Sequence, residues 1–439
     1  MKIKTLLLSL FLISLLACND SKMEIASPNK DNILKIDINE KGELHYSVYS
    51  RGELIAGPSV MGVEASDTSL CFNKGLKFKS KSAITIDEKY TLPTGKRSLY
   101  ENKANEKTFT FVNTSGKEIA VICRAYDDGV AFRYGIDTDK ITLTKELTTF
   151  DFPSGSTTWM MDWRRDYENF FPERLLDTIT NTDFMYPALI KSGNNWLLLT
   201  EAAIYNQPAT HLIKNKADNT FNFAFAREDK TFTLNESYYS PWRTFMLGNN
   251  LQQIVESVLV ENLNPESVIT NTDWIEPGVA VFPWWGNYMA NSYIDTLKTY
   301  IDMAAEMKWD WLEFDVSLIN TPFRASKECE NVDWIPELTS YARSKGIKVY
   351  CWDEIRTLNN KAGRDFVFSK YKEMGIDGIK IDYIDSDSQY AMCFRDTACA
   401  VAAEYGLMVS FHGETLPHGH RRKYPNIMTN EGVKGAEYY

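Results

Sequence analysis

The chain has 439 residues, of which 44% are hydrophobic and 13% aromatic, and it carries a net charge of −11. This length favours two to three domains, and the composition excludes an intrinsically disordered chain. The acidic balance and the lack of a basic patch argue against nucleic acid as a partner.

The first predicted element is an export signal. A short basic region, Met1–Lys4, precedes the apolar run TLLLSLFLISLLA and then Cys18. The run is shorter than the ~20 residues of a spanning helix, so residues 1–18 are predicted to be a signal peptide. LLAC resembles a bacterial lipobox, which predicts a lipidated Cys18, a membrane anchor through that lipid, and a periplasmic or outer-membrane-associated location. An ordinary signal peptide with an incidental cysteine is the alternative.

The remaining cysteines form no CxxC pair and no zinc spacing, which predicts free thiols. They are Cys71, Cys123, Cys329, Cys351, Cys393 and Cys399.

The next segment, residues 24–270, has a sequence pattern typical of β-strands. KEIAVICRAYDDGVAFRYGI consists of two β-rich runs around Asp127-Asp128-Gly129, which is a hairpin pattern. Helical periodicity is rare before LQQIVESVLVENL. The segment is therefore predicted to be a large antiparallel β-sandwich domain.

In residues 271–439 strands alternate with helical patterns. The predicted strands are GVAVFPWW, DWLEFDVSLI, IKVYCWDE, IDGIKIDYI and LMVSFHGE, with a sixth in the stretch from PNIMTNEGVKGAEYY. This alternation predicts a (β/α)8 barrel, with a doubly wound sheet as the alternative. No glycine-rich phosphate loop follows the first strand, which argues against a dinucleotide-binding fold. Only about six strands precede Tyr439, so the barrel is expected to be incomplete and the chain to be a fragment of a longer product.

The fourth predicted barrel strand carries charges where an apolar pattern is expected. Lys380 and Asp382 share one face, whereas Ile379, Ile381 and Tyr383 are assigned to the face that packs on the helices. The barrel prediction turns the charged face inward, near the strand end at which such barrels hold their active sites. A structural ion pair is the alternative, but apolar replacements of buried pairs often serve stability as well.

Other predicted strand ends carry carboxylates and aromatic rings to the same rim. They are Glu313, Asp315, Trp352, Asp353, Glu354, His412, Glu414, Glu431, Glu437, Trp284 and Trp285. Paired carboxylates beside aromatic platforms indicate glycoside hydrolysis, in which one carboxyl is the acid and another the nucleophile or base. His45, His211, His418 and His420 are interpreted as surface or loop histidines.

Four stretches, GIKIDYIDSDSQ, FHGETLPHGHRRKYPNIMTNEGVKGAEYY, WWGN and DYENFFPERLL, together resemble glycoside hydrolase family 97. The resemblance implies an exported enzyme with an N-terminal β-supersandwich, a catalytic (β/α)8 barrel and a small C-terminal β-domain, which is expected to be absent here. It covers nearly all of the mature chain.

The resemblance also implies roles for particular residues. Asp382 matches the nucleophile of the retaining members and Glu437 the general acid/base. Glu168, Glu431 and Glu437 match ligands of Ca²⁺, whose preference for oxygen fits carboxylates. Substrate contacts are expected from Lys380, His412, Trp284, Asp315 and Trp352.

The family contains two mechanisms. Its inverting α-glucosidases lack the strand-four aspartate and carry Glu directly after the strand-five His, whereas here Asp382 is present and Gly413 follows His412. The resemblance therefore implies a calcium-dependent, retaining α-galactosidase acting on an oligosaccharide. Glu414, where retaining relatives usually have an uncharged residue, is interpreted as a rim residue, and Glu354 lies near the position of an inverting-type base. An α-glucosidase of the family and a non-catalytic sugar-binding lipoprotein are the alternatives.

Overall fold

The structure is a computed structural model that describes residues 22–180, 182–316 and 333–438, without the side chains of Tyr288, Ser292 and Glu437. The predicted signal peptide, its Cys18 and also Cys329 lie outside the described residues. The other cysteines are free thiols, as predicted.

Antiparallel strands dominate residues 24–248. Their bounds are β1 (Glu24–Ala26), β2 (Asn32–Ile38), β3 (Leu44–Ser50), β4 (Glu53–Met61), β5 (Val63–Ala65), β6 (Lys77–Thr91), β7 (Leu99–Val112), β8 (Glu118–Tyr126), β9 (Gly129–Ile136), β10 (Ile141–Glu146), β11 (Thr149–Asp151), β12 (Thr157–Trp159), β13 (Glu173–Leu175), β14 (Asp183–Phe184), β15 (Ala188–Ser192), β16 (Asn195–Ala202), β17 (Thr210–Lys214), β18 (Thr220–Phe225), β19 (Phe232–Leu234), β20 (Tyr238–Tyr239) and β21 (Trp242–Gly248).

These strands form a ten-stranded sheet packed against smaller sheets. The large sheet has the order β13-β12-β15-β16-β21-β9-β8-β7-β6, with β20 paired to β9, and β1 to β4 form one of the smaller sheets. Alternate residues of a strand face opposite sides. In β2, for example, Leu34 and Ile36 are buried in the core while Lys35 is not.

The second part of the chain alternates strands and helices. The helices are α1 (Leu251–Glu256), α2 (Leu259–Asn262), α3 (Trp284–Asn287), α4 (Ile294–Met307), α5 (Ile335–Ser344), α6 (Lys361–Glu373) and α7 (Gln389–Glu404). The strands are β22 (Ala280–Val281), β23 (Trp311–Phe314), β24 (Lys348–Glu354), β25 (Gly378–Asp382), β26 (Met408–Phe411) and β27 (Ile427–Asn430).

The six strands β22 to β27 pair in parallel and in chain order. A doubly wound sheet reverses its strand order at a switch point, so that alternative is wrong. Right-handed crossovers between successive neighbours keep the helices on one side and curl the sheet, as in a TIM-type barrel. The predicted β-rich domain followed by a partial barrel is confirmed.

The helix-facing side of the curled sheet is apolar. Ile379 and Ile381 of β25 belong to one buried cluster with residues from each of α4 to α7, among them Leu297, Leu338, Phe368 and Met392. Since strand faces alternate, Lys380 and Asp382 face the interior of the curl, as the pattern predicted.

The first barrel strand is shorter than predicted. β22 ends at Val281, and α3 begins at Trp284. Pro283 lies between them and has no N–H to donate to a neighbouring strand, which explains the early end.

In the described part of the chain, no helix is long and apolar enough to cross a membrane.

Candidate active site

The carboxyl ends of the parallel strands bring the predicted site residues together. β25 ends at Asp382, and Glu354 of β24 is its partner in register. Ladder hydrogen bonds continue past β26 and β27, from the His412 N–H to the Ile381 carbonyl at 2.9 Å and from the Glu431 N–H to the Phe411 carbonyl at 2.9 Å. The backbone ladder thereby fixes Asp382, His412 and Glu431 at one rim.

Asp382 is buried and fully hydrogen-bonded. Its Oδ2 accepts from the Trp352 indole N–H at 2.9 Å, and its Oδ1 accepts from the Tyr383 N–H at 2.7 Å. His412 Nδ1 lies 3.3 Å from the same Oδ1. Burial by itself raises the pKa of Asp382, but His412, Lys380 and Trp352 outweigh it and lower the pKa to about 2. The carboxylate is therefore ionised at every physiological pH.

Lys380 lies among carboxylates at the sheet interior. Its Nζ is 3.3 Å from Asp315 Oδ2 and 3.7 Å from Glu313 Oε1, and it lies 4.5 Å from the centroid of the Phe282 ring. Burial, opposed by the charge of Lys380, raises the pKa of Asp315 to about 7. Among the described residues, none donates a hydrogen bond to the buried Asp315 Oδ1, so this oxygen can accept a bond from a substrate hydroxyl.

His412 links the two acids of the neighbouring strands. Its Nδ1 is 2.8 Å from Glu431 Oε2 as well as 3.3 Å from Asp382. Burial lowers the pKa of His412, but these two carboxylates outweigh that effect and raise it to about 9. A cationic His412 neutralises part of the negative charge beside Asp382.

Aromatic residues border this rim. The Trp352 ring is buried and makes an edge contact with Tyr383 at 6.1 Å between centroids. The assignment of Tyr383 to the helix-facing side is wrong, because β25 ends at Asp382 and a φ of 56° turns the chain away from the strand direction. Trp284 and the exposed Trp285 lie in α3, directly after β22, and therefore at the same end of the sheet.

Glu414 is fully buried, so the interpretation as a rim residue is wrong. Its Oε2 forms an ion pair with Arg395 Nε of α7 at 2.8 Å, and its Oε1 accepts from the Asn430 amide. Burial, opposed by Arg395, raises the pKa of Glu414 to about 7. The pair thus lies beneath the loop of His412 and ties it to α7 and to the residue before Glu431.

Glu354 is also buried, and its carboxylate pairs with Arg356 at 2.6 Å. Arg356 is therefore a structural partner of Glu354.

The N-terminal domain contributes directly to this rim. Arg165 donates to the Asp385 carbonyl, and the Tyr167 hydroxyl donates to Asp387 Oδ2 at 2.8 Å and accepts from Thr415 at 3.1 Å. Burial raises the pKa of Asp387 to about 7. Sequence reasoning missed this network, because none of its members stands in a strand pattern, although the DYEN stretch marked the loop.

Glu168 follows on the same loop and is buried. It forms a hydrogen bond with Tyr438, whose pKa it helps to raise to about 12. Tyr438 belongs with Glu437 to a single turn, Ala436–Tyr438, but the side chain of Glu437 lies outside the described part. The loop of Glu168 and the turn of Glu437 are therefore adjacent.

The described residues hold no group of three His, Cys, Asp or Glu side chains that could bind a metal ion. Glu168 and Glu431 offer the oxygen donors that Ca²⁺ prefers. They supply only part of a coordination sphere, so we assign no chemical step to an ion.

Three of the histidines interpreted as surface or loop residues are buried instead. His418 bonds Thr415 and the Glu201 carbonyl, His420 bonds the Ile204 carbonyl, and His211 pairs with Asp183. Burial lowers the pKa of His418 to about 3. His418 and His420 are neutral groups that join the barrel loop to the N-terminal domain.

Gly413 has a φ of +52°, and a Cβ on it would lie 3.0 Å from Asp385 Oδ1 and 3.4 Å from Asp382 Oδ1. We expect Gly413→Ala to lower the free energy of unfolding by about 1–2 kcal/mol through backbone strain, and to lower kcat/KM by moving Asp382. Gly193, with a φ of +58° and no atom of the described residues within 4 Å of an added Cβ, is the matched control. Gly193→Ala should show the strain without the loss of activity, and equal activities of the two variants would contradict the expectation.

Comparison with known families identifies the family of this chain. The family model described as Glycosyl-hydrolase 97 N-terminal matches residues 25–265, and the model described as Glycoside hydrolase 97 matches residues 274–433. The chain belongs to glycoside hydrolase family 97. The resemblance stated from the sequence is thus confirmed, and the chain is a glycosidase.

Two curated relatives align along nearly the whole chain. A "Probable retaining alpha-galactosidase" of Streptomyces bingchenggensis is 28% identical over 98% of this chain and 68% of its own length. A "Retaining alpha-galactosidase" of Bacteroides thetaiotaomicron is 25% identical over 100% of this chain and 71% of its own length.

Solved structures have the same fold. A β-arabinopyranosidase superposes with a TM-score of 0.86 at 25% identity, covering 94% of this chain and 70% of that chain. A family 97 enzyme of Pseudoalteromonas sp. strain K8 in complex with acarbose gives a TM-score of 0.85 at 21% identity over the same shares. The latter likeness shows the fold alone.

Proposed function

We propose that this chain is a retaining exo-α-galactosidase that removes terminal α-galactosyl residues from oligosaccharides. The observation that carries the proposal is the buried, ionised Asp382 at the carboxyl end of β25. Gly413 after His412 supports it, because the resemblance to the family implies a Glu at this position in the inverting members. The names of the two curated relatives support both the galactose and the retention.

The proposed reaction is a double displacement. An Asp382 oxygen attacks the anomeric carbon, the glycosidic C–O bond breaks, and Glu437 gives its proton to the leaving oxygen. Water, deprotonated by Glu437, then cleaves the glycosyl ester and restores the Asp382 carboxylate. This mechanism requires the two carboxyl groups to lie about 5–5.5 Å apart.

Two other substrate classes are alternatives to α-galactosides. The similarity to a β-arabinopyranosidase favours a pentopyranoside, which lacks the exocyclic CH2OH of a hexose. An α-glucoside is the alternative within the family. We expect the highest kcat/KM for an aryl α-galactoside when it is compared with the aryl β-arabinopyranoside and α-glucoside. A higher value for either of the others would overturn the galactose assignment.

The stereochemistry has its own test. Proton NMR during hydrolysis should show α-galactose before mutarotation, and β-galactose as the first product would overturn the retaining mechanism. A non-catalytic sugar-binding protein would bind the galactoside without turnover.

We further propose that Glu168, Glu431 and Glu437 bind Ca²⁺. We expect EGTA to abolish most of the activity and added Ca²⁺ to restore it, because the proposed ion would neutralise the carboxylates that bind it. Mg²⁺ is the control, since it prefers a stricter octahedral geometry. Activity that is indifferent to EGTA would contradict the calcium proposal without affecting that for Asp382.

We also propose that Cys18 is lipidated and that this lipid holds the enzyme at the cell envelope. The sequence TLLLSLFLISLLAC supports it. Metabolic labelling with a fatty acid should mark the wild-type protein and not Cys18→Ser, and equal labelling of the two would contradict the proposal.

A further inference from the structure

A cavity lies in the N-terminal domain, at its border with the barrel. Its volume is about 320 Å³, within the range of small-molecule sites. The residues that matter here are Arg124, Arg133, Asn206, Glu236 and Tyr239. None of them belongs to the candidate active site.

Arg133 of β9 forms no ion pair within the part of the chain that the structure describes. Among the described residues, no carboxylate lies within 4.0 Å of its guanidinium, and its Nε is buried without an acceptor. The guanidinium lies over the rings of Trp242 at 4.5 Å and Tyr239 at 5.2 Å. Arg124, in contrast, is neutralised by Glu106 at 2.6 Å.

Arg133 therefore brings to the cavity a positive charge that no ion pair with a described residue neutralises. Burial and the charge of Arg124 lower its pKa to about 10, so it stays charged at neutral pH. Arg133 is half-buried, its buried Nε lacks an acceptor, and the planar guanidinium matches a carboxylate in two hydrogen bonds. Glu236, the acidic residue lining the cavity, is exposed and accepts from the Asn206 amide at 3.1 Å.

We propose that this cavity binds an acidic monosaccharide unit, with the carboxylate on Arg133 and the sugar ring against Tyr239. The Tyr239 ring is 52% exposed and offers an apolar platform beside the guanidinium. The cavity is large enough for one sugar ring. The site is separate from that of Asp382, so the proposal holds whether or not the enzyme acts on α-galactosides.

Calorimetry with sodium galacturonate, galactose and sodium sulfate tests the proposal on the full chain. We expect galacturonate to bind to the wild-type protein, and Arg133→Gln to weaken it about tenfold or more, the effect of one charge-assisted pair. Glu236→Gln is the matched control in the same cavity and should leave the affinity unchanged or raise it. The rate on an aryl glycoside should stay the same in both variants.

Arg133→Lys is a second variant, which keeps the positive charge but loses the planar geometry of the guanidinium. We expect its affinity for galacturonate to lie between those of the wild type and Arg133→Gln. Four results would overturn the proposal: no saturable binding of galacturonate, equal affinity for galactose, equal affinity for sulfate, or undiminished binding by a folded Arg133→Gln protein. Loss of galacturonate binding in Asp382→Asn would place the ligand in the active site and overturn it too.

Discussion

Asp382→Asn is expected to lower kcat for an aryl α-galactoside by a factor on the order of 10⁵, the scale on which removal of a nucleophile acts. An amide is neutral and a poor nucleophile, but it keeps the size of the carboxylate, and its single oxygen can still accept from either the Trp352 indole or the Tyr383 N–H. Substrate affinity should therefore change less than kcat. Steady-state kinetics measure both.

Asp377→Asn is the matched control for this variant. Asp377 directly precedes β25 at its opposite end, where it lies 3.5 Å from Arg343. It is distant from the carboxyl-end rim, so near-normal activity is expected. Near-normal activity of Asp382→Asn itself would contradict the nucleophile assignment.

Chemical rescue separates a nucleophile from a merely structural aspartate. In Asp382→Gly, azide can enter the vacated space and attack the anomeric carbon. The product should be a β-galactosyl azide, because a single displacement inverts the configuration. Restored turnover with release of ordinary α-galactose would indicate a different role for Asp382.

Glu414→Leu is expected to lower the free energy of unfolding by about 3–5 kcal/mol, because it leaves the charge of Arg395 buried and unpaired. Both side chains are at most 1% exposed. The guanidinium also contacts the Met392 sulfur at 4.0 Å and the Phe411 ring at 5.5 Å, neither of which replaces a carboxylate. Urea unfolding at pH 8, above the Glu414 pKa of about 7, measures the effect with the pair ionised.

The double variant Glu414→Leu with Arg395→Met is the control. Apolar residues of similar volume often replace a buried pair without loss of stability, so the double variant should recover most of the stability. A Glu414→Leu protein as stable as the wild type would contradict the structural role of the pair.

The burial of Glu414 could not be read from its neighbourhood in the chain. The stretch HGETLPHGH is polar and rich in turn residues, which is typical of an exposed loop. Arg395, which neutralises Glu414, comes from α7, and the contacts of His418 come from the N-terminal domain. Such long-range partners leave no local pattern.

The ends of elements were likewise decided by local backbone chemistry that the hydrophobic pattern does not contain. Tyr383 continues the alternation of β25, yet its positive φ takes it to the rim beside Trp352. A single alternating pattern predicts that a strand exists better than it predicts the last residue of that strand.

The sequence by itself determined the two-part architecture, the order of the barrel strands and the inward face that carries Lys380 and Asp382. Periodicity is a local property, and each strand displays its own buried and polar faces within a few residues. The tertiary structure decided which carboxylates share a partner. It placed His412 between Asp382 and Glu431, paired Glu414 with Arg395 and left Arg133 without an ion-pair partner among the residues described. Charge and burial depend on neighbours in space, and only folding brings those neighbours together.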